Sequence, residues 1–283
     1  MTEALAINEQ ETKEAGVLGF MARSFIQATL PHSKVNGTYY ERQNGFFTLT
    51  MTASLKKIGL PYGSIPRLLL AWITTEAVKT KSPELILGDS LSDFMSKLGL
   101  VPTGGRWGSI TRLKDQTKRL FSCQISCFYS DEYQDTAKFT RVAENYRLWW
   151  HKVPEQTTIF KSTVTLNQEF FEEVINSPIV FRMSTLKAIK QSSMAVDIYT
   201  WVTYRNSYAK KPFKVPWEAL QLQFGAGYPI TSQGKRNFKK KFIQSLKKVA
   251  LVYPEAGKLR IDDPNHLLFV PGKPDIPKLV IPS

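Results

Sequence analysis

Two short segments 129 residues apart, Ala71-Trp72-Ile73-Thr74 and Thr200-Trp201-Val202-Thr203, constrain the fold of this chain more than any other feature. At the same offset and without a gap, Lys81-Ser82-Pro83 falls on Lys210-Lys211-Pro212, and Gly105-Arg106 on Gly234-Lys235. A period well beyond the roughly 20–50 residues of solenoid units predicts two copies of one domain rather than an array. The length of 283 residues agrees with two units, because single cores rarely grow past roughly 250 residues.

Hydrophobic periodicity gives both halves the same order of elements. In the first, apolar spacing predicts a helix over Val17–Ile26, bounded by Pro31, and a β-hairpin over Tyr39–Ala53 turning at Asn44-Gly45. Ser64 caps a predicted helix from Pro66 to Lys79, and Pro83–Leu87 reads as a strand. Asp89-Ser90 caps a helix to Leu98 that Gly99 ends. A glycine-rich loop, Val101–Gly108, then leads to a helix over Ser109–Phe121 and β-rich sequence from Ile125 to about Lys161. The second half reads helix Ser193–Ala209, strand Phe213-Lys214-Val215, helix from Pro216-Trp217 to Phe224, and a loop at Gly225 and Gly227. A long helix, Gly234–Leu251, and strands Lys258–Ile261 and Leu267–Val270 complete it. Helix, strand, helix, loop, helix, hairpin is the order of a winged helix. The expected fold class is therefore α+β, two tandem winged-helix domains. Residues 1–30 form a tail and helix, 31–160 the first domain, and 161–283 the second, strongly basic one.

Charge separates the halves. Residues 1–181 carry 20 basic and 18 acidic residues; residues 182–283 carry 18 and 6, so nearly all of the net charge of +14 sits in the second half. A folded, aromatic-rich half with that excess reads as a binder of polyanions, of which nucleic acid is the commonest. No stretch approaches the roughly 18 apolar residues of a membrane span. Met1–Glu14 lacks the basic and apolar regions of a secretory signal. With only Cys123 and Cys127, no disulfide framework is expected, which fits a reducing, cytoplasmic setting.

Helix phase selects the candidate contacts. On the helix from Gly234, Phe238, Phe242, Ile243, Leu246 and Val249 share one side, while Arg236, Asn237, Lys240, Lys241, Gln244, Lys247 and Lys248 share the other; Lys235 joins them at the start. No acid occurs between Ala219 and Pro254, so phosphates would relieve the repulsion, and Asn or Gln can read adenine edges. On the first-half helix, Ile110, Leu113, Leu120 and Phe121 make the apolar side. Thr111, Arg112, Asp115, Lys118 and Arg119 face outward, Ser109 reads as an N-cap able to reach a phosphate, and Arg106 as a phosphate or minor-groove contact.

Catalytic and cofactor chemistry finds no support in the residues. His32, His151 and His266 are isolated, and no His-x-His pair of a strand-nicking site occurs. Cys123 and Cys127 have no histidine or cysteine neighbours to complete a zinc site and read as buried thiols. Gly234-Lys235 lacks the upstream glycine and following hydroxyl of a P-loop. Trp149-Trp150 could stack on bases but reads as strand core. No enzyme, metal or cofactor is expected.

The segment Gly59-Leu60-Pro61-Tyr62-Gly63-Ser64-Ile65-Pro66-Arg67 resembles a known family. So do Leu70–Ala77, Leu87-Gly88-Asp89-Ser90-Leu91, Gly104–Gly108 and, upstream, Leu30-Pro31-His32-Ser33. They resemble the plasmid-encoded RepA replication initiators of Gram-negative bacteria, most densely over residues 18–121. The resemblance implies a protein that binds iteron repeats in double-stranded DNA at a plasmid origin. It also implies help in opening the duplex and recruitment of the host initiator and replicative helicase. It leaves open whether the chain acts as a monomer or a homodimer. Two rivals remain at this stage: a transcriptional regulator on the same fold, and a module that docks an acidic protein.

Overall fold

The computed structural model describes residues 18–22, 24–88, 90–130, 133, 135–148, 162–176 and 178–276. The acidic tail, Asp89, Trp149-Trp150 and His151 lie outside them.

Chain order begins with strand β1 (Leu18–Met21), the short helix α1 (Ser24–Gln27) and the hairpin β2 (Tyr39–Asn44) and β3 (Phe47–Ala53). Next come α2 (Ser64–Thr80), β4 (Glu84–Gly88), α3 (Leu91–Lys97), α4 (Ser109–Phe121), β5 (Cys123–Ser130), β6 (Asp135–Arg141), β7 (Ala143–Arg147) and β8 (Ser162–Leu166). The second half contains α5 (Gln168–Asn176), β9 (Ile179–Arg182), α6 (Met183–Ala188), α7 (Ser193–Asn206), β10 (Phe213–Pro216), α8 (Trp217–Phe224) and α9 (Ser232–Val252). A 3-10 turn (Pro254–Lys258) leads to β11 (Arg260–Asp263) and β12 (His266–Phe269). The protein is α+β, as expected.

The repeat is visible in the geometry. Ser64 and Ser193 open α2 and α7, and Glu84 and Phe213 open β4 and β10, both pairs at the offset of 129. α2 is buried almost all round from Pro66 to Val78, and α7 from Met194 to Thr203, as helices at the centre of a core must be. Thr74 and Thr200 are tolerated there because their hydroxyls donate to the Leu70 and Val196 carbonyls at 2.8 and 3.2 Å. Trp72 meets Phe94 of α3 edge-on, with centroids 5.1 Å apart at 78°. Trp201 meets Phe224 of α8 in the same way, 5.7 Å apart at 78°. Each contact contributes about 0.5–1.5 kcal/mol beyond area burial.

Sheet order carries the repeat further. The first half has the antiparallel sheet β4-β8-β7 and the second β10-β12-β11: in each, the strand after the first helix pairs with the last strand of the hairpin. The hairpin answering β11–β12 is therefore β7–β8, and the boundary expected between residues 160 and 161 passes through it. The intervening strands β5 and β6, which the sequence reading merged into the same β-rich stretch, instead extend β2–β3 into the four-stranded sheet β2-β3-β5-β6. The choice is made by partners far along the chain.

The helix expected over Val17–Ile26 is corrected to β1 followed by α1. Residues Leu18 to Met21 pair antiparallel with Arg182 to Ile179, and this non-local ladder outweighs a weak helical preference interrupted by Gly19. α2 begins at Ser64 itself, with Gly63 at the N-cap at φ 78° and no side-chain cap, so Ser64 is not the cap. Ser90 is a cap: its hydroxyl accepts from the Asp93 N–H. The halves share one continuous core. Thr29 donates to the Gln223 carbonyl at 2.9 Å, and Gln223 Nε2 returns a bond to the Ile26 carbonyl at 2.9 Å.

Candidate nucleic-acid interface

α9 is held on its apolar side by an aromatic cluster. Trp217 and Phe224 from α8 meet Phe238 and Phe242, with centroids 5.5–6.5 Å apart, and Leu246 and Val249 continue the buried stripe. Thr231 caps the helix by accepting from the Gly234 N–H at 3.1 Å. With that side locked, helix phase turns Arg236, Asn237, Lys240, Lys241, Gln244, Lys247 and Lys248 outward, and all seven are exposed. Among the described residues the five cations of this set have no carboxylate partner. Arg236 and Lys240, one turn apart, repel each other by about 0.2–0.5 kcal/mol in an isolated helix.

Two neighbours behave differently. Lys235, counted among the candidates, is engaged by a short ion pair with Glu218, whose carboxyl is held below its usual range by that bond. Lys239 folds back, its ammonium 4.8 Å above the Trp217 ring and bonded to the Pro264 carbonyl at 3.1 Å.

α4 presents a smaller set. Leu113, Gln116, Thr117, Leu120 and Phe121 are buried. Arg112 and Lys118 are exposed, and Thr111 is exposed with its hydroxyl donating to the Gly105 carbonyl at 2.9 Å. Arg106 is exposed in the preceding loop, its guanidinium 5.2 Å from the Trp107 ring centre.

Two candidates are corrected. Ser109 is only 6% exposed; its hydroxyl donates to the Val101 carbonyl at 2.6 Å and accepts from the Thr103 N–H at 2.9 Å. It braces the loop and is not available to a phosphate, and Gly108 holds the cap position. Arg119 has a side chain 13% exposed, donating to Asp115 at 2.7 Å and to the Leu60 carbonyl at 3.3 Å over the Tyr62 ring. Phase placed Arg119 outward and Ser109 was expected at the N-cap, but the segment from Leu60 to Tyr62 covers the first and the loop at Thr103 the second.

Burial raises the thiols of Cys123 and Cys127 to about 12, so both are unreactive at neutral pH. Among the described residues, no group of three or more His, Cys, Asp and Glu is placed to hold a metal ion, and no helix is long and apolar enough to cross a membrane.

Residues 60–216 match the family model described as plasmid encoded RepA protein, more than half of the chain. No curated protein matches in sequence. Among solved structures, RctB domains 2-3 (RctB-155-483) resemble the chain with TM-score 0.51 and 13% identity, over 80% of this chain and 82% of that one. A selenomethionine derivative of domain 2 and domain 3 of RctB gives TM-score 0.55 and 12% identity, over 90% and 97%. At such identities the likeness concerns the fold.

Proposed function

The chain belongs to the plasmid-encoded RepA family, and on that premise we propose that it is a replication initiator that grips origin DNA with the third helix of each half. Each half reads as a winged helix: α2, α3 and α4 with the wing β7–β8, and α7, α8 and α9 with the wing β11–β12. We take the division between the two units to fall after β8, which completes the first sheet. Two recognition helices entering successive major grooves, about 34 Å apart on one face of the duplex, would read an iteron of roughly two helical turns. The protein acts by binding, opening the duplex and presenting it to the host initiator and helicase.

The observation that carries this reading is the set Arg236, Asn237, Lys240, Lys241, Gln244, Lys247 and Lys248: cations and amides outward, aromatics locked inward, and among the described residues no carboxylate paired with these cations. Arginines and lysines would contact phosphates and set position; Asn237 and Gln244 would read base edges. The test is the salt dependence of binding to plasmid-origin duplex, measured by fluorescence anisotropy. Six to eight phosphate contacts predict a slope of log K against log salt of about −5 to −7. A slope near zero rejects the interface.

A further inference from the structure

Strand β2 turns a cation into the protein at a position where alternation calls for an apolar residue. Tyr40 and Arg42 share its inward face, and Arg42, opposite Leu49 of β3, is only 4% exposed. Its Nη1 donates to the Leu222 carbonyl at 3.0 Å. Among the described residues, Nε and Nη2 meet no acceptor, and no carboxylate pairs with the charge. The Tyr40 ring centre lies 5.7 Å from the guanidinium carbon, with the hydroxyl donated to the Thr29 carbonyl at 3.1 Å. Arg67, buried as deeply, is by contrast met by both oxygens of Asp197 and by three carbonyls. A buried guanidinium with two nitrogens unmet is costly, and arginine cannot shed its charge to relieve that cost. Burial accordingly holds the pKa of Arg42 below the usual arginine range.

Arg42 lines a cleft of about 950 Å³ between the two halves. The loop Pro31–Val35 and β2 wall one side; the start of α7, the loop Ala226–Tyr228 and α9 wall the other. Lys34, Lys241 and Lys248 stand exposed along it, and the positive end of the α7 helix borders it at Ser192, Ser193 and Met194. Among the described residues lining the cleft, only Glu41 is acidic; it is exposed and accepts a bond from the Tyr39 hydroxyl. Cations from three separate elements therefore surround a space with a single carboxylate at its edge.

The donors select the ligand. A guanidinium fork matches two oxygens of one oxyanion, and ammonium groups arriving from other directions suit a tetrahedral group more than a flat carboxylate. A phosphate monoester supplies three free oxygens and between about 1.5 and 2 negative charges at neutral pH. The depth of Arg42 selects its form. A phosphate in a duplex backbone, joined to sugars on both sides, cannot be brought to a residue so enclosed, whereas one that ends a small molecule can. The volume also falls within the roughly 300–1,000 Å³ of small-molecule sites.

We propose that this cleft binds a phosphate group presented end-on, as inorganic phosphate or a small phosphomonoester, with Arg42 Nε and Nη2 as the donating fork and Lys34, Lys241 and Lys248 around it. The site stands apart from the reading of α9 as a duplex contact, although Lys241 and Lys248 serve in both.

The experiment is calorimetric titration of the full-length protein, without DNA, with inorganic phosphate and separately with adenosine 5′-monophosphate, in chloride buffer at fixed ionic strength. The native protein should bind one equivalent saturably; tighter binding of the monophosphate assigns the site to an ester, and equal binding to the free ion. Arg42→Met should weaken binding by about tenfold to a hundredfold, and Arg42→Lys, which keeps the charge without the fork, by less. Phosphate should raise the melting temperature of the native protein and leave that of Arg42→Met unchanged. Should Arg42→Met fail to fold, the exposed pair Lys241→Ala with Lys248→Ala carries the test, each replacement weakening binding about twofold to fivefold. No saturable binding of either probe by the native protein, or equal affinity in the native protein and the folded variants, overturns the proposal. So does loss of duplex binding in Arg42→Met when the native protein binds neither probe, since Arg42 would then serve DNA. Because the titration contains no DNA, its failure leaves the duplex reading standing.

Discussion

Arg67 and Asp197 form a buried bidentate ion pair, both contacts 2.6 Å, that ties α2 of the first half to α7 of the second. The two residues are 2% and 7% exposed. Arg67 also donates to the carbonyls of Leu30, Pro31 and Gly63 at 2.7, 3.2 and 2.7 Å, so its guanidinium collects the α1–β2 connection, α2 and α7 at one point. A charge so deep is tolerated because every side of it is met by an oxygen.

Removing one partner leaves the other charge buried and alone. Arg67→Met should destabilise the protein by about 3–5 kcal/mol in urea unfolding. The pair Arg67→Met with Asp197→Leu should recover most of that loss, since the desolvation cost disappears with both charges. A double variant no more stable than Arg67→Met would show that the carbonyl bonds, rather than the charge pair, hold the halves together.

His32 lies beside this pair, its Nε2 3.6 Å from Asp197 and its Nδ1 3.1 Å from Ser193 Oγ. Burial holds its pKa well below the usual 6.5, with Arg67, Arg42 and Lys241 adding to the effect. The fold therefore favours neutral imidazole. Its contribution to stability is complete above about pH 6.5 and declines as the pH falls below that value. Thermal melting from pH 8 to 5 should show the decline in the native protein and a flatter profile in His32→Gln. Identical profiles would remove His32 as the cause.

Within α9, position and readout should separate. Replacing Lys240, Lys241, Lys247 and Lys248 by alanine should weaken binding to every duplex and lower the salt slope by about 0.9 per lost contact. Gln244→Ala or Asn237→Ala should leave the slope nearly unchanged and relax sequence preference by about 1–3 kcal/mol. Footprints that do not change in either set would refute the assignment of this helix.

Arg112 and Arg119 share α4 but face different surroundings. Arg119→Ala should lower stability by about 1–3 kcal/mol, because the Leu60 carbonyl and Asp115 lose their donor, and alter DNA affinity little once the protein is folded. Arg112→Ala should do the reverse. Chemical denaturation beside anisotropy on the same samples distinguishes them; a stability loss confined to Arg112→Ala would contradict the structure.

The exposed cationic side of α9 was legible in the sequence. α9 carries seven candidates that phase alone turned outward, and all seven are exposed. Ser109, Arg119 and Lys235 are where such reasoning stops. Phase says which side of a cylinder a residue occupies, not which loop lies against that side, and here Thr103, Leu60 and Glu218 occupy it.

The repeat, the helices α2, α4, α7 and α9, the outward cations of α9 and the family were determined by the sequence, because each depends on residues within a few turns of one another or on words read directly from the chain. The pairing of β1 with β9, the recruitment of β5 and β6 to the sheet of β2 and β3, and the joining of the halves through Arg67 and Asp197 were decided only by the tertiary structure. These unite segments up to about 160 residues apart. Their energy comes from backbone ladders and buried charges whose partners no local pattern names.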